Sequence, residues 1–200
     1  MGTDDPAMRQ RVLEALEYGL RERYAEAQAL LADVKRAYPE HPLPPLMEAA
    51  LWDLYMEDWG TDSKEKAFFS ALKEARKRAG REIKLAERSG DRRRLAWAHF
   101  YMGAAYAFEA FHHARKGSPK ALIPAMRGVD ELSKAIEADS TLYDAYYPLG
   151  LYDYLIANPP KKLSWLPFLP DPEERKAKGI EELRLAAERG VYTRDLARYS

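Results

Sequence analysis

Apolar residues along this chain recur at the spacing of helical turns, and no stretch alternates as a strand would. Val12, Leu13, Leu16 and Leu20 make one stripe; Ala27, Leu30, Leu31 and Val34 make the next. Gly, Pro and Asn fall between such stripes. Start signals agree: Pro6 after Asp4-Asp5, Ser63 before Lys64-Glu65, Ser118-Pro119, Thr141, and Asp171-Pro172 ahead of Glu173-Glu174. The pattern predicts helices over 6–21, 24–37, 43–58, 63–89, 92–115, 119–138, 142–157 and 172–189, with another beginning at Thr193. Pro124 and Pro148 fall inside two of these spans, so each must kink its helix or mark its true start. The expected class is all-α.

A chain of 200 residues can bury one sizeable core or build one elongated array of smaller packing units. With 46% hydrophobic and 32% charged residues it is too apolar for a disordered tail and too charged for a membrane protein. Lys+Arg and Asp+Glu both number 32, which argues against general nucleic-acid binding, where an excess of cations must neutralise phosphates. The absence of cysteine excludes disulfides, thiolate metal sites and cysteine nucleophiles. No apolar run is long enough to span a bilayer, and Met1 to Asp5 does not read as a signal peptide. The compartment stays open between cytoplasm and, after removal of a leader, periplasm.

The helices also repeat in register. Gly128-Val129-Asp130-Glu131-Leu132-Ser133-Lys134-Ala135 aligns with Gly179-Ile180-Glu181-Glu182-Leu183-Arg184-Leu185-Ala186, matching a small residue, a later Leu and a later Ala. Ala79-Ile83-Ala86 and Ala27-Leu31-Val34 fit the same template. Small residues at that spacing let a neighbouring helix approach closely, while the Leu fills the space beside them. A second template is Met102-Gly103 with Tyr106, echoed by Leu149-Gly150.

These patterns resemble the tetratricopeptide repeat family. There the first helix of each pair carries Leu-Gly and then Tyr, the second carries spaced small residues, and a Pro follows. Tyr24-Ala25-Glu26-Ala27 with Pro39 matches such a second helix. From the second-helix small residue to the next first-helix one the count is 22 (Ala27 to Ala49), 24 (Ala79 to Gly103) and 22 (Gly128 to Gly150). Within pairs it is 12 (Ala15 to Ala27), then 30, 25 and 29. The first pair with its link spans about 34 residues, the family's repeat length. The turns inside the later pairs are therefore expected to carry about 13–18 extra residues each. Departures are Arg11, Glu14 and Glu48, which replace an aromatic or Leu, and Asp153, which replaces an aromatic. The closing stretch, Leu149-Gly150-Leu151-Tyr152, Trp165-Leu166-Pro167 and Gly179-Ile180, is similar to bacterial repeat proteins without assigned activity. The resemblance implies a right-handed α-α superhelix of about four TPR-like helical hairpins with long intra-hairpin insertions. It implies one repeat domain over 1–200, cut short in its last helix at 193–200, with a concave face that binds protein or peptide.

Candidate chemistry is sparse. Glu109-x-x-His112 has the spacing of a di-iron ligand pair, but no second copy exists, so neither a metal nor a cofactor is expected. His112 and His113 are expected at a helix end, and His99 as a hydrogen-bonded core histidine. Asp153 at a core-like position needs a partner, Arg127 or His99, unless it faces a ligand. No phosphate loop, nucleophile elbow, zinc signature or Rossmann glycine pattern occurs.

Aromatics are dense, with 13 Tyr, 4 Trp and 6 Phe. Trp97, Phe100, Ala104 and Phe108 share one helix face; Tyr147, Leu151 and Tyr154 share the same stripe on the next first helix. Met102, Gly103 and Tyr106 already supply a core stripe on another face, so the aromatic face is either further core or a groove for an apolar peptide. Residues 158–170 combine four prolines with Trp165, Leu166, Phe168 and Leu169, and read as a packed Ω-like loop or as an anchor for a partner or membrane surface. From Lys64 to Arg94 there are twelve Lys/Arg against five Asp/Glu, whereas residues 40–62 carry six acids and no Lys or Arg. That segregation reads as solvated faces, or as Arg92, Arg93 and Arg94 receiving an acidic partner.

The resulting expectation is a non-catalytic scaffold whose concave groove binds protein or peptide through Trp97, Phe100, Phe108, Tyr147, Leu151, Tyr154, Asp153, Trp165 and Phe168. One alternative is a small-molecule receptor or enzyme with a pocket closed by residues 158–170, using Asp153, His99 or Glu109. The other is self-association through the last helix or that loop. Neither a nucleic-acid partner nor a transmembrane segment is expected.

Overall fold

Helix starts follow the capping chemistry. The Asp5 carboxylate accepts from the Ala7 and Met8 N–H groups, Asp91 accepts from Arg94 N–H, and Ser118 from Lys120 N–H. A computed structural model describes residues 5–157, 161, 171–194 and 197. Its helices are α1 (Pro6–Leu20), α2 (Tyr24–Ala37), α3 (Leu43–Asp58), α4 (Glu65–Ser89), α5 (Arg92–Arg115), α6 (Leu122–Ala138), α7 (Tyr146–Ala157) and α8 (Pro172–Arg189). Single 3-10 turns precede α6 (Pro119–Ala121) and α7 (Tyr143–Ala145). No strand occurs among the described residues, and no described helix is long and apolar enough to cross a membrane.

Pro124 and Pro148 mark helix starts instead of kinks. Each is the third residue of its helix, where an N–H would have no intrahelical carbonyl to bond. α4 stops at Gly90, whose φ of 68° is easy only for glycine, and the chain turns directly into α5.

The helices pack in chain order, α1 on α2, α3 on α4, α5 on α6 and α7 on α8, and α3 also touches both α1 and α5. The small-residue template sits at the closest crossings. A Cβ placed on Gly103 would lie 2.7 Å from Leu132 Cγ and 3.1 Å from Gly128 O. One on Gly150 would lie 2.7 Å from Gly179 O, and one on Gly179 would lie 2.8 Å from Gly150 O. Gly103 faces Leu132 while Ala107 faces Gly128, so this pair runs antiparallel; Gly150 and Tyr154 face Leu183 and Gly179 in the same way. Ala15, Ala27, Ala49 and Ala79 hold the template in the first two pairs, and all are buried.

The extra residues do not lengthen the turns of the second and third pairs, contrary to expectation. Residues 59–64 and 116–121 connect those helices tightly, and the added length lies in the helices, with 25 residues in α4 and 24 in α5. The reason is composition: α4 is almost entirely Ala, Lys, Arg, Glu and Leu-type helix formers, so once started it propagates. Only the link between α7 and α8 is long.

The buried core runs from Met8 and Val12 of α1, through Leu43 and Leu46 of α3, to Trp97, Phe100 and Tyr101 of α5 and on to Tyr192. α6 and α7 barely meet, which leaves the array loosest at that junction.

Candidate binding surfaces

The first turns of α5 are sealed. Trp97 is 7% exposed and Phe100 4%. The Trp97 ring meets Phe100 edge-on at 5.6 Å, tilts against Tyr101 at 5.7 Å, and meets Tyr192 edge-on at 6.0 Å between centroids. These two residues are core, not groove wall. α3 packs against α5 here, and the chain beyond α8 returns to set Tyr192 against the same stripe.

Asp144 anchors that return, and the sequence reading missed it. Its buried carboxylate accepts from the N–H groups of Val191 (3.0 Å), Tyr192 (2.7 Å) and Thr193 (2.9 Å), and from Thr193 Oγ1 (3.0 Å). An acid from one element thus fastens the backbone of residues 191–193, just ahead of Arg194, through charge-assisted hydrogen bonds.

Burial sets the protonation behaviour here. Tyr101 is enclosed, its hydroxyl has no hydrogen-bond partner among the described residues, and its pKa is driven well above the ordinary value. Tyr192 is pushed up to about 12 by burial, with Arg9 acting against it. His41 lies edge-on to Tyr101 at 5.5 Å, and its Nδ1 accepts from Leu43 N–H at 3.1 Å. Burial and then the Arg78 charge hold His41 down at about 4, so it is neutral. Arg78, itself buried, donates to the carbonyls of Tyr38 and His41 and pairs with Glu74.

The far halves of α7 and α8 are open. Leu151 and Tyr154 come together with Ile180, Leu183, Arg184 and Ala187 around a hollow of ≈ 350 Å³, with Ala197 at its edge. Tyr154 is 39% exposed and Ile180 50%. Phe108 is partly buried against the core, and Tyr147 is partly buried at the start of α7. Trp165 and Phe168 lie outside the described residues, as does most of segment 158–170.

A second space of ≈ 70 Å³ lies at the loose junction, lined among others by Ala110, Phe111, Leu122, Val129, Tyr152 and Leu155. It is less than half the roughly 150 Å³ that admits benzene, so it suits a small aliphatic group.

The titratable candidates are tied off. Asp153 is buried and pairs with Lys178 at 2.6 Å and Arg175 at 3.2 Å; both come from α8, and neither Arg127 nor His99 reaches it. Those two are engaged elsewhere, Arg127 over the Tyr106 ring and His99 with Glu131 at 2.8 Å. Glu109 pairs with Arg76 at 2.5 Å. Arg94 pairs with Glu82, and Arg92 donates to the Glu137 carbonyl, so two of the three consecutive arginines tie helix ends together.

His112 lies in the last turn of α5, as expected, but it is buried, and its Nε2 is 3.0 Å from Glu65. Asp62, Glu65 and His112 bring ligand atoms within 4.8 Å of one another. The Glu-x-x-His spacing did not indicate this set. The Lys116 ammonium sits between the carboxylates at 2.7 Å from Asp62 and 2.8 Å from Glu65, supplying the cation. Lys116 first and His112 second hold Glu65 down at about 2.

Comparison with known proteins returned no matching family model, no matching curated protein and no matching solved structure.

Proposed function

We propose that this chain is a non-catalytic scaffold of tetratricopeptide-like helical hairpins, arranged as a right-handed superhelix, that binds an apolar segment of a protein partner. The seat is the hollow between α7 and α8, and the residues that touch the partner are Leu151, Tyr154, Ile180 and Leu183. One observation carries this reading. Tyr154 and Ile180 remain exposed on a hairpin locked by the Gly150–Gly179 backbone contact, a preorganised platform bearing apolar anchors. The Gly103–Gly128 and Gly150–Gly179 contacts also support the family resemblance, since they fall where the repeat template places its small residues. The ion pairs that close around Asp153, Glu109 and His99 weigh against an enzyme, which needs titratable groups converging on a vacant point.

A photo-crosslinking amino acid at position 154, irradiated in cells, tests the reading. Discrete protein adducts are expected from position 154, are lost when Ile180 is also changed to Asp, and do not form from position 26 on α2. Equal adduct patterns from positions 154 and 26 would overturn it. A second reading, a receptor for a small apolar molecule, is favoured by the space beside Phe111 and Leu155. Methyl chemical-shift changes at Leu155 and Val129 on adding short-chain hydrocarbons would support it.

A further inference from the structure

The charge segregation of the sequence acquires a shape on α4. Lys66, Lys73, Lys77, Lys84 and Arg88 stand at successive steps of seven, four, seven and four residues. At 100° per residue those steps keep all five within an arc of about 60°, and at 1.5 Å per residue they form a row about 33 Å long. All five are exposed, and none forms an ion pair with another described residue. The row points directly away from the buried face formed by Phe68, Leu72, Ala75, Ala79 and Ala86. Other cations of α4 are spent internally, Arg76 on Glu109, Arg78 on Glu74 and Arg81 on Glu40. Glu87 is the one exposed acid of α4; exposed Glu40 meets Arg81 on the flank of the row, and Glu74 feels the Lys77 charge.

Exposed apolar side chains stand on α6 and on α4 itself. Arg76 of α4 and Arg127 of α6 lie over the same Tyr106 ring of α5, at 4.9 and 5.8 Å, so α4 and α6 both reach that side of α5. Ile123 stands one turn before Arg127 and is 64% exposed; Met126, next to Arg127, is 60% exposed. By the repeat register that aligns Ala79 with Gly128, Met126 occupies the position that Lys77 holds on α4. Leu85 adds a further exposed aliphatic group on α4 itself.

We propose that the cationic row of α4, together with the exposed apolar start of α6, adsorbs onto an anionic lipid bilayer. A straight row of cations meets a flat charged surface along its whole length. Four of the five are Lys, point charges suited to a diffuse layer of headgroups, whereas planar bidentate recognition of single phosphates favours Arg. Exposed Ile123 and Met126 have no counterpart to meet on a nucleic-acid backbone but can enter the interface between headgroups and acyl chains. A partner helix is disfavoured as well, because the row itself lacks the apolar stripe that helix pairing requires. This surface is separate from the α7–α8 hollow, so it stands or falls independently of the proposed binding role.

Vesicle flotation of the full chain tests the inference, using phosphatidylcholine alone and phosphatidylcholine with phosphatidylglycerol at about three to one. The chain is expected to float with the anionic vesicles only and to be released by salt, as screening shortens the reach of exposed charges. Replacing Lys73, Lys77 and Lys84 by Gln should weaken partitioning by about 100-fold, at about fivefold per lysine, with the helical circular dichroism unchanged. Changing Ile123→Ser and Met126→Ser should weaken it several-fold with no change in charge. Equal flotation with neutral vesicles, an unaltered triple-lysine variant, or tighter retention on a short DNA duplex than on the anionic vesicles would overturn the proposal.

Discussion

Phe100 stands three residues before Gly103 on α5, and Tyr147 stands three before Gly150 on α7, yet Phe100 is sealed and Tyr147 is only partly covered. Their helices share one local pattern and one kind of glycine-notched partner. The difference lies in what comes next. The α5 stripe is met by α3 and by Tyr192, whereas the later turns of α7 face a hollow edged, among the described residues, by α8 and Ala197. An aromatic stripe on a repeated helix is therefore not intrinsically core or groove. The next element over it decides, and here the returning chain latched by Asp144 closes one end, while among the described residues the other keeps exposed side chains.

The latch is the place to break this contrast. Asp144→Ala leaves three N–H groups near the sealed end without their acceptor, and should cost about 3–5 kcal/mol in urea-unfolding experiments. An unchanged midpoint would mean that the sealed end does not depend on residues 191–193.

The sealed end should also respond to acid. His41 has a folded-state pKa of about 4 against an ordinary 6.5, so its neutral form favours the folded state. That contribution is complete above pH 6.5 and is lost as pH falls toward 4, by about 3 kcal/mol across the window. Thermal melts from pH 7 to 4.5 should show His41→Asn losing less stability than wild type over that range. Parallel curves for the two proteins would refute the assignment.

Two glycine substitutions sharpen the comparison between a notch and an ordinary helix position. Gly150→Ala drives a methyl into the Gly179 carbonyl at 2.7 Å and should destabilise by about 1–3 kcal/mol. Gly80→Ala meets only the end of Met102, at 3.6 Å, and should stabilise by up to about 1 kcal/mol through helix propensity. Differential scanning calorimetry that gave both changes the same sign would undo the notch argument.

The smallest expected change in stability lies at the open end. Tyr154→Ala and Ile180→Ser should each cost no more than about 1 kcal/mol, because each side chain is only partly covered. A larger loss of melting stability would show that these residues support the fold and are not spare contact surface.

Much of the architecture could be read in advance. The helix spans and the four glycine notches follow from local spacing and capping, which act over a few residues, whereas Pro124 and Pro148 left a kink and a helix start equally open. The added length was misplaced into turns because a count of residues between notches does not say whether they coil or loop. The site fared less well. Leu151 and Tyr154 do meet in one hollow, but Trp97 and Phe100 are enclosed, and Asp153 finds its cations on α8. Asp144 was not singled out, since its partners lie 47 to 49 residues further along the chain.

The amino-acid order by itself determined an all-helical chain, the register at which its helices can touch, and the row of cations on α4, because each depends on periodicity within a single helix. Only the tertiary structure decided which aromatic face is covered, which carboxylate meets which cation and where an apolar surface stays open. Those outcomes depend on how far neighbouring helices extend over one another and on where the returning chain lands. They are properties of distant pairs, and no local pattern carries them.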